Sequence, residues 1–278
     1  EWDSSNFRYN YKNWVIQKIA ELIEEGSRTD DHSFSPDYIP ISTRVLIKLD
    51  TICEQKIEFN KDMIDLVLNS SKGAIYTAMI HVSLKYTRLQ KIKIWIKEIE
   101  DYFTKIMTTP SDQSYEFFFI IGRYFSNILY MNYDWVLKNL DVIYSKTEEK
   151  IWSSSFQGYL CGNKINKDSY DLLKEHGDYL KAIDYDFENT MIERSLMNLI
   201  ANIYLLEEEK PSKNEIVKKV IENCNPSQIS HICNFYWRNN EDLTKCHRSM
   251  IIDLWESITK SLTDTDTNMK IADSLSYL

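Results

Sequence analysis

"LNSSKGAIYTAMIHVSLKY", Leu68–Tyr86, holds two serines, a lysine and a glycine at the head of an apolar run. A phosphate loop needs a strand, several glycines and then Gly-Lys-Ser/Thr, so that backbone N–H groups converge on the anion. Here Lys72 precedes Gly73, and Ile75 stands where a hydroxyl should be. A serine nucleophile needs a strand-to-helix elbow and a histidine partner, a context that Ser70 and Ser71 lack. From Ile75 the apolar positions run Ala78, Met79, Val82, Tyr86 and Leu89, one face of a helix. The stretch therefore predicts a helix over Lys72–Leu89, capped by Ser70 or Ser71. Gly73 then serves to let another backbone approach closely.

Working outward, the chain has six glycines and five prolines in 278 residues, too few for the many tight turns of a sandwich or barrel. Apolar spacing predicts helices at Tyr11–Glu25, Ser42–Gln55, Lys61–Leu68, Gln90–Met107, Gln113–Tyr130, Trp135–Tyr144, Lys150–Cys161 and Ser169–Ile183. Further helices follow at Glu188–Leu206, Lys213–Asn223, Ser227–Asn239 and Leu243–Leu262, with a short tail helix near Met269–Ser276. On the first helix Trp14, Ile16, Ile19, Leu22 and Ile23 form the expected buried stripe, and Gly26 ends it. In "KPSKNEI", Lys210–Ile216, Ser212 and Glu215 read as a capping box. The fold class is all-α. Its cadence suits a TPR- or HEAT-like helical-hairpin solenoid with degenerate repeats, a globular helical bundle being the alternative. We read residues 1–278 as a single helical-repeat domain with a hinge at Asp184–Asn189. The opening Glu1-Trp2, without an initiator Met, reads as the start of a piece of a longer protein.

The formal net charge of −9 leaves no surplus of Lys and Arg for neutralising many phosphates, so a nucleic-acid partner is not expected. Cys53, Cys161, Cys224, Cys233 and Cys246 are odd in number and irregular in spacing, which suits reduced thiols in a cytoplasm. No apolar run approaches the ~20 residues that cross a bilayer, and no signal peptide is visible, so no membrane association is expected. His231, Cys233, Cys246 and His247 do not make a zinc pattern. Residues i and i+2 of a helix point apart, and adjacent ligands are equally awkward. No metal, cofactor or catalytic motif is read from the chain.

"EFFFIIGRYF", Glu116–Phe125, is too apolar for a solvent-facing helix and should cross the centre of the domain. Arg123 within it reads either as an anion clamp or as an arginine paired to a carboxylate between helices. Aromatic residues make up 13% of the chain, and "FYWR", Phe235–Arg238, sends consecutive large groups in several directions. Because Tyr, Trp and Arg are enriched at binding hot spots, Tyr115, Tyr236, Trp237 and Arg238 are the candidate partner contacts.

Three stretches together carry a family resemblance. "LNSSKGAIYTAMIHVSLKY" resembles an Asn-Ser-x-Arg/Lys-Gly element followed by a helix, here with Asn69, Lys72 and Gly73. "FFFIIGRYFSNILYMNYDWVLKNLDVIY", Phe117–Tyr144, is similar to a Gly-Arg-aromatic pattern leading to Trp-Val, with Gly122, Arg123 and Trp135. "IWSSSFQGYLCGNKINKDSYDLLKEHGDYLKAI", Ile151–Ile183, resembles a Trp-x-x-x-Trp-x-Gly-Tyr-Leu pattern, with Trp152, Gly158 and Tyr159, and Phe156 in place of the second Trp. These patterns resemble the helical C-terminal regions of prokaryotic antiviral STAND NTPases and sirtuin-like defence proteins. The chain has neither the NTPase loop nor the sirtuin-like catalytic residues, so those activities do not carry over. The resemblance implies an α-helical repeat sensor that recognises a phage structural or packaging protein and releases an effector elsewhere. It implies that the motif residues hold helices together rather than touch the partner, and that the full-length protein oligomerises. A scaffold for self-assembly without a viral ligand is the competing expectation. An unrecognised enzyme using His32, His81, His176, His231 or His247 is the third.

Overall fold

The helix that contains Lys72 and Gly73 packs against five others. The computed structural model describes residues 6–31, 33–109, 114–162, 166–262 and 271. Among them every regular element is helical, with fifteen α-helices, two short 3₁₀ turns and no strand. The fold is all-α. The contacts divide the chain into two compact units, Glu1–Asp171 and Leu172–Leu278, with the division inside a helix. The expected tail helix near Met269–Ser276 lies, apart from Ile271, outside the described residues.

The first unit is built from α1 (Asn6–Arg28), α2 (Ile39–Ile52), α3 (Ile64–Leu68), α4 (Ser71–Gln90), α5 (Lys97–Thr108), α6 (Tyr115–Arg123), α7 (Phe125–Met131), α8 (Tyr133–Ile143) and α9 (Glu149–Leu160). Ser70 caps α4, its hydroxyl accepting from the Gly73 N–H at 2.9 Å. The helix is not amphipathic as its spacing suggests. Ser71 through Tyr76 and Ala78 through Ile80 are buried, so α1, α2 and α6 cover it on several sides, while the predicted stripe residue Leu89 is exposed. Buried Lys85 donates from its ammonium to the Gly26 and Phe34 carbonyls. That contact satisfies the open C-terminal end of α1, where a cation is favoured.

The stripe of α1 differs from expectation. Ile16, Ala20 and Ile23 are buried with Asn13 and Ser27, whereas Trp14, Ile19 and Leu22 are exposed. Both sets recur at helical spacing; only packing on α4 decides which faces inward. The helix predicted over Gln90–Met107 begins later, because Lys91 turns left-handed at φ 55° and closes α4. The helix predicted over Gln113–Tyr130 breaks at Tyr124 into α6 and α7.

The tightest packing joins α6 to α9. A Cβ on Gly122 would lie 1.9 Å from the Ser155 carbonyl oxygen, and one on Gly158 would lie 1.9 Å from the Phe119 carbonyl oxygen. The two glycines thus face each other's helix reciprocally, and a side chain at either would drive the backbones apart. Phe117 through Ile121 and Trp152 through Phe156 are buried around this crossing. Edge-to-face rings extend the core: Phe103 on Phe117 at 5.1 Å, Trp95 on Trp135 at 4.9 Å and Phe125 on Tyr144 at 5.1 Å.

α10 (Lys167–His176) spans the dividing point, and the second unit continues with α11 (Asp178–Asp184), α12 (Thr190–Glu207), α13 (Glu215–Asn223), α14 (Pro226–Arg238) and α15 (Lys245–Ser261). The helix predicted over Ser169–Ile183 is broken between α10 and α11 at Gly177, φ 86°. Asn214, not Ser212, caps α13, its side chain accepting from the Val217 N–H. The turn at Pro211–Lys213 takes Ser212 out of capping position. Thr244 caps α15 with His247 closing a capping box that the sequence reading lacks.

Gly122→Ala and Gly158→Ala are each expected to destabilise the chain by about 3 kcal/mol, the upper range for overpacking, because the obstructing atoms are backbone. Urea unfolding of the two variants, compared with Ser249→Ala on α15, measures the effect.

Candidate functional site

The motif residues converge on packing roles. Gly73 crowds the turn before its own helix: a Cβ there would lie 2.2 Å from the Val67 carbonyl oxygen. The backbone that approaches it closely is thus the end of α3. Asn69 follows α3 as its C-cap and donates from its amide to the Asp65 carbonyl at 2.8 Å. Trp152 and Tyr159 are buried in α9. Trp135 is buried on α8 and donates from Nε1 to Thr104 Oγ1 at 2.8 Å.

Lys72 belongs to a buried polar cluster joining α2, α4, α5 and α6. Its Nζ lies 3.3 Å from Asp50 Oδ1, and the Tyr102 hydroxyl donates to Asp50 Oδ2 at 2.6 Å. Glu116 of α6 is fully buried and accepts from the Ile57 N–H at 2.8 Å. Burial pushes the Glu116 carboxyl up from its ordinary range, against the pull of backbone N–H donors and Lys72.

Arg123 departs from the pairing reading: among the described residues no carboxylate lies within ion-pair distance of it, and its guanidinium stands 6.0 Å from the Tyr124 ring centre. It lines a cavity of about 470 Å³ with α1 and α4, shared by Arg28, Glu21, Glu24, Thr77, His81 and Tyr124. His81 Nε2 is 3.1 Å from the Tyr124 hydroxyl and 3.7 Å from Glu24. Burial lowers the His81 pKa, Glu24 opposes this, and Arg28, Arg88 and Arg123 lower it further. His81 is therefore neutral near pH 7, and burial beside it raises the Tyr124 phenol.

The candidate partner contacts separate. Tyr236 is 1% exposed and donates its hydroxyl to the Ala201 carbonyl at 3.0 Å, so it joins α14 to α12 within the second unit instead of presenting a surface. Each successive residue of a helix is rotated by about 100°, which leaves Trp237 55% exposed and Arg238 exposed. Trp237 and Tyr236 border a cavity of about 280 Å³ with Leu243, Arg248, Ile251 and Ile252. Tyr115 is half-buried, its ring edge-on to Phe59 at 5.4 Å.

The remaining histidines are tied to local structure, His176 to Asp178 at 2.7 Å, His231 to Glu193 at 3.4 Å and His247 to the α15 cap. His32 lies outside the described residues. Cys233 is buried, with its thiol pushed up to about 12 by burial, and Cys246 is exposed. Among the described residues no group of His, Cys, Asp and Glu could hold a metal ion, and no helix is long and apolar enough to cross a membrane.

Lys72→Met strands the buried Asp50 carboxylate and is expected to cost about 3–5 kcal/mol. Adding Asp50→Asn should recover much of that loss in a double-mutant cycle by urea unfolding. Glu116→Gln imitates the protonated carboxyl. A carboxyl with a raised folded pKa contributes stability fully below its unfolded pKa, ~4.3, and loses it as pH rises through the folded value. The stability of Glu116→Gln relative to wild type should therefore climb from pH 4 to pH 7. A gap that stays level across that range would contradict the assignment.

No family model matches the chain, and no match is found among curated proteins or solved structures.

Proposed function

We propose that this chain is a non-catalytic recognition module of an antiviral defence protein, one that binds a viral protein and thereby triggers an effector elsewhere in the full-length protein. The observation that supports the reading is where the motif residues fall. Gly122 and Gly158 meet in one helix crossing, and Gly73, Lys72, Trp135, Trp152 and Tyr159 are packed around the same unit. These seven positions thus hold the first unit's helices together, the role that a sensor framework demands. The repeat reading draws support from α2 on α4, α4 on α6 and α12 on α14, pairings that each skip one helix as stacked hairpins do. In this reading the helices form a degenerate α-solenoid in a cytoplasmic protein, and Trp237 and Arg238 on the outer side of α14 are the contact residues. The partner acts by binding the active arrangement better than the resting one, shifting the population towards it and favouring assembly.

A scaffold role is favoured by one feature, the exposed face of α1, where Tyr11 stacks on Trp14 at 5.7 Å and Leu22 is also exposed. Tagged chain co-expressed with a panel of phage structural and packaging proteins, then run on size exclusion, separates the readings. A stable complex with one of them, weakened at least tenfold by Arg238→Ala, is the expected result. A folded chain that binds none of the panel and self-associates through Trp14 would replace the sensor with the scaffold.

A further inference from the structure

We propose that the cavity between α1, α4 and the end of α6 is a binding site for a small oxyanion, a phosphate or carboxylate group held by Arg123. Three observations carry this. The cavity, about 470 Å³, has room for a small molecule bearing such a group. Its acidic residues are already occupied: Glu24 holds Arg28 at 2.6 Å, and Glu21 holds Lys18 at 2.5 Å and Gln17 at 2.9 Å. Arg123 is left as the cation without a carboxylate among the described residues, half-buried and fixed by its place beside Gly122 in the α6–α9 crossing.

A planar guanidinium presents paired N–H donors that match two oxygens of a carboxylate or phosphate. Thr77 lines the same cavity and adds a hydroxyl donor, and the His81–Tyr124 pair, joined by one hydrogen bond, leaves one further donor: the Tyr124 O–H when Nε2 carries the proton, the His81 Nδ1–H when it does not. Partial burial strengthens such hydrogen bonds relative to open water, because the effective dielectric falls. The ligand takes the place of the carboxylate that Arg123 does not have among the described residues. The site is independent of the recognition reading, since it lies in the first unit and Trp237 and Arg238 lie in the second.

Titration calorimetry of the whole chain with inorganic phosphate and with acetate, against sodium chloride at equal ionic strength, tests the site and separates the two oxyanion sources. Saturable heat with either oxyanion, absent with chloride, is expected. Arg123→Gln should weaken it at least tenfold, and Arg123→Lys several-fold, since lysine keeps the charge but loses the fork. Lys93→Gln, the same charge change elsewhere in the unit, should leave it unaltered. In the wild-type chain the same titration should shift the His81 and Tyr124 side-chain NMR signals, a readout that needs no variant to fold. The site is overturned if neither oxyanion exceeds chloride, if those signals stay still, or if folded Arg123→Gln binds as wild type does.

Discussion

The reciprocal contact of Gly122 with Ser155 and Gly158 with Phe119 is the constraint on which the first unit depends. Two helices can approach so closely only if neither carries a Cβ at the crossing. The consequence runs along both. Ser153, Ser154 and Ser155 are fully buried on α9, small enough to let the helix sink into the core, and the five residues Phe117–Ile121 are buried on α6. Such a helix needs no amphipathic stripe, because it has neighbours on every side. The break at Tyr124 immediately after the crossing separates α6 from α7 and leaves Arg123 beside α1 and α4.

Hydrogen bonds meet the cost of much of this buried polar surface, though not of all of it: Ser155 Oγ and Glu116 Oε2 have no hydrogen-bond partner among the described residues. Ser154 donates to the Lys150 carbonyl, Gln157 donates to Ser153 and accepts from the Met63 N–H, and Ser71 donates to the Asn13 carbonyl. Each bond contributes only ~1 kcal/mol net, yet an unmade one costs more, so these contacts select one register of helices over its neighbours. The Asp50–Lys72 pair acts similarly. Its worth lies less in Coulomb attraction than in the penalty for leaving either charge buried alone.

In the second unit the same logic appears with different chemistry. Phenols take the place of the glycines: Tyr204 of α12 donates to the Met250 carbonyl of α15, and Tyr236 of α14 to the Ala201 carbonyl of α12. Gln228 reaches from α14 to the Ile183 carbonyl at the end of α11. A tyrosine in such a role looks, residue by residue, the same as one at a binding surface. Its amphipathic ring suits both, and only the position of the acceptor distinguishes them.

The sequence by itself determined the helical class, the existence of most helices and a serine cap at Ser70 or Ser71, because these depend on local spacing, scarce turn residues and side-chain-to-backbone bonds within a few positions. The central burial of Phe117–Ile121 was equally legible, since a run so apolar has no other stable place. Only the tertiary structure decided which of two apolar stripes on α1 faces α4, and that Tyr236 is inside while Trp237 is outside. It also decided that Arg123 lines a cavity with no carboxylate at ion-pair distance among the described residues, and that Gly122 meets α9. Each of those outcomes depends on atoms 30 or more positions apart along the chain, such as Gly122 and Ser155. A linear pattern carries the capacity for such an encounter, and the geometry of packed neighbours settles which encounter occurs.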